Sequence, residues 1–236
     1  MSTKTKSKAN MTKINITWSY SSLKTFEQCP KKYYHLKVAQ DVNDKGSAAT
    51  IYGSSMHSAA ENYVKDGTPV PPQFRYVVPV LDALKRIEGD KYCELKLGLR
   101  KTEEGEYKPC GFSDPDYWWH GIADLVIING PVAYSVDYKT SKNAKYADTK
   151  QLDIAAAALF IHFPQLEKIK SSLLFVVSRE FIRKDHYVEH LNSYLESFTP
   201  LLDRLEAAFV SDVWNVNTGP LCGYCPVTQC EFNRRY

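Results

Sequence analysis

Apolar residues recur with a helical period near both ends of the chain and alternate with polar ones through its middle, and this change of period sets the expected elements. Ordered structure is expected from about Ile14. Ser19 to Ser22 offer capping side chains for a helix that carries Phe26, Tyr33, Tyr34 and Leu36. A second helix is expected from near Gly53 through His57, Ala60 and Tyr63. Gly67 to Pro72 reads as a loop and Val77 to Ile87 as helix again. Tyr92 to Leu99 alternates as a strand does, whereas Thr102 to Asp116 is polar and broken by Gly and Pro. Trp118 to Ile128 and Pro131 to Lys139 read as two strands joined at Asn129-Gly130, a strong hairpin signal between apolar runs. Asp148 or Thr149 can cap a helix to about Phe163. Ser172 to Ser178 reads as a strand, Tyr187 to Phe209 as one long amphipathic helix, and the tail from Asn215 as loop. This order predicts an α/β fold, a mixed central β-sheet flanked by helices.

With Asn129-Gly130 as a two-residue turn, Ile128 opposes Pro131 and, counting back, Asp124 opposes Ser135. Asp137 is then the diagonal neighbour of Asp124, at about 7–8 Å between backbones. Alternation puts Asp124, Ser135, Asp137 and Lys139 on one face. The hairpin is otherwise apolar on both faces, with Ala123, Leu125, Ile127, Val132 and Val136 on one and Ile122, Val126, Ile128 and Ala133 on the other. Such strands are central and covered on both sides. Two Asp and a Lys in that setting need a metal, a ligand or each other. One reading is a salt bridge between Asp137 and Lys139. The other is a site for Mg²⁺ or Mn²⁺, which take hard oxygen ligands and keep waters that can act as nucleophiles. Lys139 can then orient or deprotonate water and offset charge on phosphorus, which suits phosphodiester hydrolysis.

Composition narrows the class without choosing it. The 236 residues are 44% hydrophobic and 24% charged, enough for a sizeable core. No apolar run approaches the roughly 18–20 residues of a membrane span. Residues 1–13 hold four Lys and read as a disordered basic tail of a cytoplasmic protein, with 14–236 as one domain. The net charge of +3 and pI of about 8.4 permit a nucleic-acid partner without demanding one. Six Cys without a secretion signal do not suggest a disulfide framework. Cys222-Gly-Tyr-Cys225-Pro-Val-Thr-Gln-Cys230 leaves a tetrahedral site one ligand short, and Cys29 is the fourth candidate. Soft thiolates suit an iron–sulfur cluster or structural Zn²⁺.

Gly121-Ile-Ala-Asp124, with Asp137-Tyr-Lys139 thirteen residues on, resembles the paired motifs of the PD-(D/E)XK nucleases. More narrowly the chain is similar to their RecB-like branch. Gly53-Ser-Ser-Met-His57 matches the Gly-x-x-x-His helix of that branch, Gln151 its following Gln, and Ser19-Tyr-Ser-Ser-Leu23 with Cys29-Pro-Lys-Lys-Tyr33 its opening helix. These matches run in order from Ser19 to Cys230. Where family members often carry Tyr four residues after the Gln, this chain has Ala155. The resemblance implies a restriction-endonuclease-like core in which His57, Asp124, Asp137 and the Tyr138 carbonyl bind metal. Lys139 would be the catalytic lysine and Gln151 would position substrate or that lysine. It further implies a [4Fe–4S] cluster on Cys29, Cys222, Cys225 and Cys230, as in CRISPR adaptation and AddB-type nucleases, with Zn²⁺ the alternative.

The activity implied is that of a metal-dependent deoxyribonuclease, an exonuclease on DNA ends or single strands in recombination, repair or phage replication. Its place would be the cytoplasm of a prokaryote or a phage-infected cell. No Gly-x-x-x-x-Gly-Lys-Ser/Thr loop occurs, so unwinding would need a helicase or recombination partner. A non-catalytic DNA-binding or scaffolding subunit and a zinc-stabilised interaction protein are the competing readings. Lys31, Lys32, Lys37, Lys142, Lys145 and Lys150 can meet phosphates or simply face water. Trp118 and Trp119 can stack on unpaired bases or pack in the core. Glu94 is a candidate metal or DNA contact, or an ordinary exposed strand residue.

Overall fold

The computed structural model describes residues 16–233 apart from 45, 143 and 146, so the tail expected over 1–13 lies outside the described residues. Its elements are α1 (Tyr20–Gln28), α2 (Pro30–Tyr33), α3 (Ala48–Asp66), α4 (Val78–Lys85), β1 (Asp90–Lys101), β2 (Tyr107–Cys110), β3 (Trp119–Asn129) and β4 (Val132–Lys139). After these come α5 (Lys150–His162), β5 (Lys168–Phe175), β6 (Glu180–Tyr187), α6 (Leu191–Glu196) and α7 (Thr199–Ser211). The strands form one mixed sheet in the order β2-β1-β3-β4-β5-β6, parallel between β4 and β5 and antiparallel elsewhere. This is the α/β architecture expected of the restriction-endonuclease-like core.

Each face of the sheet has its own core. Met56, Ala60 and Val64 of α3 and Leu81 of α4 pack with Leu125, Ile127 and Val136. Leu23 and Phe26 of α1, Leu205 of α7 and the interior of α5 pack with Val126, Ile128 and Ala133 on the other face. Neighbouring residues of β3 therefore enter opposite cores, as a strand's alternation dictates. In α5, Leu152, Ile154, Ala156 through Phe160 are buried on every side, which suits a helix apolar all round. Among the described residues no helix is long and apolar enough to cross a membrane.

Several elements depart from expectation for identifiable reasons. The first helix breaks at Cys29, whose backbone is extended (φ −162°, ψ 107°) because the proline that follows disfavours the helical conformation before it. α3 starts at Ala48, ahead of Gly53, because Ser47 and Thr50 form a reciprocal capping box. The polar stretch after Thr102 contributes β2, which pairs with β1. The fourth expected strand begins earlier, at Lys168, and Glu180–Tyr187 adds an edge strand to it. The long C-terminal helix is divided into α6 and α7, and Pro200 occupies the first turn of α7.

The hairpin register also differs. Asn129 pairs with Val132, so the two-residue turn is Gly130-Pro131 and Asp124 does not face Ser135. Gly130 supplies the positive φ (59°) such turns require, and Pro131 has no N–H to give to a ladder. The ladder ends at Leu125 and Val136, and the next positions beyond it are Asp124 and Asp137. The two carboxylates are thus directly opposed, still on one face, because the offset from the expected register is even.

Candidate active site

Beyond Leu125 and Val136 the two central strands separate, and the Asp124 side chain occupies the opening. Its Oδ2 accepts the Tyr138 backbone N–H at 2.7 Å, which locks the carboxylate between strands. Its Oδ1 lies 3.3 Å from His57 Nδ1, and His57 Nε2 lies 3.0 Å from the Tyr138 carbonyl. Nε2 donates to that carbonyl, and Nδ1 stands within ion-pair range of the carboxylate. Burial opposes a charge on the ring, but the contact with Asp124 and the nearby charges of Asp137 and Glu94 outweigh it and raise the His57 pKa. Gly53, one turn earlier on α3, would bring a Cβ to 3.4 Å from Thr140 Oγ1, so the helix passes close to the end of β4.

Asp137 has the most strained electrostatics. Its Oδ2 is buried and has no hydrogen-bond partner, although Lys139 Nζ stands 2.6 Å away in ion-pair contact without hydrogen-bond geometry. Burial pushes its pKa up to about 6, the Lys139 charge pulls it down, and the Asp124 charge pushes it up again. Lys139 also donates to Gln151 Oε1 at 3.1 Å, from the first turn of α5. Asp124, Asp137 and Gln151 line one cleft of about 220 Å³ beside the start of α1. All the residues expected at the site are brought together.

Glu94 joins them. It stands across from Asp124 in the β1–β3 register, between the pairs Cys93–Leu125 and Leu95–Ala123. Its φ of 48° is left-handed in mid-strand, a conformation that costs about 1–3 kcal/mol. Ligand atoms of Glu94, His57 and Asp124 lie within 4.8 Å of one another, an arrangement able to hold a cation. Burial, then the charge of Asp124, raises the Glu94 pKa. Acids crowded this way can accommodate a positive ion. Glu94 was one candidate among exposed strand residues in the sequence; only the pairing of β1 with β3 reveals its neighbours.

Other candidates separate. Trp119 is buried and Trp118 packs edge-on to Trp18, with ring centres 5.2 Å apart, so both belong to the core. Trp119 also closes over position 121, where a Cβ would come to 2.5 Å from its ring, so only glycine fits. Lys31 pairs with Glu231 at 2.7 Å. Cys29, Cys222, Cys225 and Cys230 line one cavity of about 390 Å³. Among the described residues no three of these sulfurs converge within 4.8 Å. The tail is joined to the first helices by Lys31 N–H to the Asn215 carbonyl and Asn217 to the Gln28 carbonyl.

The family model described as the PD-(D/E)XK nuclease superfamily matches residues 17–230. Two of the solved structures similar to it share little sequence with it. SSO0001 is 14% identical, with a TM-score of 0.41 over 95% of this chain and 90% of that one. A protein from Eubacterium rectale described as a "Putative exonuclease" is 15% identical, with a TM-score of 0.49 over 92% of this chain and 86% of that one. No curated protein matches the sequence.

Proposed function

The chain belongs to the PD-(D/E)XK nuclease superfamily, and from that premise we propose that it is a deoxyribonuclease dependent on Mg²⁺ or Mn²⁺, of the RecB-like branch. The observation that carries this reading is the approach of His57, Glu94 and Asp124 ligand atoms to within 4.8 Å of one another, beside the buried Asp137 carboxylate. A site that gathers three carboxylates around one histidine is suited to a hard divalent ion. His57, Asp124, Asp137 and the Tyr138 carbonyl would hold it, with Glu94 as an added oxygen ligand. When bound, the ion supplies Lewis acidity and a water of lowered pKa. Gln151 fixes the Lys139 side chain at the cleft, where its ammonium can hold a phosphate oxygen and balance the charge that builds on it.

The finer reading is an exonuclease on DNA ends or single strands, in recombination, repair or phage replication, working with a separate helicase or recombination protein. The four cysteines are assigned a [4Fe–4S] cluster. All four line one cavity, and soft thiolates suit such a cluster, with tetrahedral Zn²⁺ the alternative. Such a cluster would join the α1–α2 break to the tail. Cys225→Ser is expected to lower the melting temperature and remove visible absorbance from anaerobically purified protein. An unchanged melting temperature and a colourless wild type would sink the cluster.

The test of the activity is degradation of end-labelled single- and double-stranded DNA with Mg²⁺ or Mn²⁺, with Asp137→Ala run in parallel. Loss of cleavage confined to the variant supports the site. A wild type that binds DNA and cleaves neither form with either metal supports a scaffolding subunit instead.

A further inference from the structure

Three aromatic rings stand in a column beside the cleft. His120 of β3 is stacked on Phe112, with centres 4.6 Å and planes 13° apart, and on Tyr117, at 4.3 Å and 6°. Two parallel rings so close to one imidazole can only occupy its opposite faces. The Phe112 carbonyl lies 3.3 Å from His120 Nδ1, which fixes the ring and places a proton on Nδ1. Lys96 Nζ sits over the Phe112 ring, 5.7 Å from its centre, so a cation closes that end of the column. At the other end Tyr117 borders a cavity of about 360 Å³, whose wall also holds Lys37, Gln40 and Ser22. His120 and Ser19 border both this cavity and the cleft of Asp124 and Asp137, so the two spaces adjoin. Four steps along the strand, about 13 Å, separate His120 from Asp124.

An aromatic column that served packing alone would need neither an open end nor flanking cations. All three rings here are only partly buried. We propose that Tyr117 is a stacking platform for an unpaired base of a DNA strand whose backbone lies in the Asp124–Asp137 cleft, so that the substrate is single-stranded next to the point of cleavage. This rests on the nuclease reading above. Bases inside a duplex have both faces covered by their neighbours, and only an unpaired base can give one to a tyrosine. Lys37 neutralises a phosphate beside it, and Gln40 and Ser22 offer hydrogen bonds that tolerate any base.

The experiment measures fluorescein-labelled oligothymidylate binding by anisotropy, with Ca²⁺ in place of Mg²⁺ to prevent turnover, for wild type, Tyr117→Ala and Tyr117→Phe. Hydrolysis of bis(p-nitrophenyl) phosphate with Mn²⁺, a diester with no base to stack, is measured for the same proteins. Tyr117→Ala is expected to weaken binding about tenfold, with Tyr117→Phe near wild type. A matched strand of abasic sites is expected to bind wild type and Tyr117→Ala alike. Equal affinity of wild type and Tyr117→Ala for oligothymidylate overturns the platform, whatever the diester result. A wild type that hydrolyses no diester yet needs Tyr117 for binding overturns the nuclease reading and upholds the platform.

Discussion

Of the histidine–aspartate pairs among the described residues, one lies at the end of the central hairpin and one between α5 and the β5–β6 edge. In the second, Asp153 Oδ1 meets His186 Nε2 at 2.8 Å and Lys184 Nζ at 2.6 Å, while His186 Nδ1 meets Ser171 Oγ at 3.0 Å. Each buried group there has its partner, and the hydrogen bonds from His186 and Lys184 overcome burial to hold the Asp153 pKa below its usual value. At the hairpin, His57 and Asp124 are paired, but Asp137 Oδ2 meets Lys139 as an ion pair without hydrogen-bond geometry and Glu94 keeps a strained backbone. A closed network can only hold elements together. An open one retains capacity for something that arrives from outside.

The sharpest way to break this contrast is to exchange the effects of mutation. Asp137→Ala is expected to cut metal-dependent DNA cleavage by about 10³-fold while the melting temperature of the metal-free protein stays or rises. A variant that loses activity only because it unfolds would place both pairs in the same structural class. Asp153→Ala strands His186 and is expected to cost about 3 kcal/mol, a fall of roughly 6–12 °C in melting temperature. Cleavage by the fraction still folded should stay within a few-fold of wild type. Calorimetry beside the DNA assay separates the two quantities, and large loss of activity in folded Asp153→Ala would end the contrast.

The smallest effect is the most specific. The folded Asp137 pKa, about 6, lies above the ordinary carboxylate value of 3.8. Its favourable contribution is therefore complete below that lower value and is lost as pH rises through about 6. Asp124, Lys139 and His57 face it and set the balance. Asp137→Asn should then raise the metal-free melting temperature by about 3 °C above pH 6, with no gain near pH 4. Mg²⁺ or Mn²⁺ should raise the wild type and leave Asp137→Asn unmoved. Asp153, with its lowered pKa, runs the other way, its stabilisation present at neutral pH and lost only in acid. A gain in Asp137→Asn that persists at pH 4 would show that burial of the charge is not its cause.

Much of the site was legible because period two is forgiving. The turn was misplaced by one residue, since Asn-Gly is the stronger short signal and Gly130-Pro131 the actual loop, yet Asp124, Asp137 and Lys139 keep a common face in either register. His57 and Gln151 were found through motifs, and α3 and α5 deliver them to the hairpin. His120 was not, and Glu94 stood only as one of two readings of a strand residue, because a ring column between a loop and a strand and a left-handed residue in mid-strand arise from pairings distant in sequence. The edge strand Glu180–Tyr187 was missed for a related reason. Its charged, half-exposed residues carry little periodic signal, and its strand character comes from pairing with β5.

The parallel pairing of β4 with β5 also bears on how the chain is held together. A chain cannot fold straight back into a parallel neighbour, so after Lys139 it must travel through α5 before Lys168 can pair with Val132. That crossover is also the segment that carries Gln151 to Lys139. One connection therefore closes the parallel pair and steadies the lysine, so a chain nicked within it would lose both together.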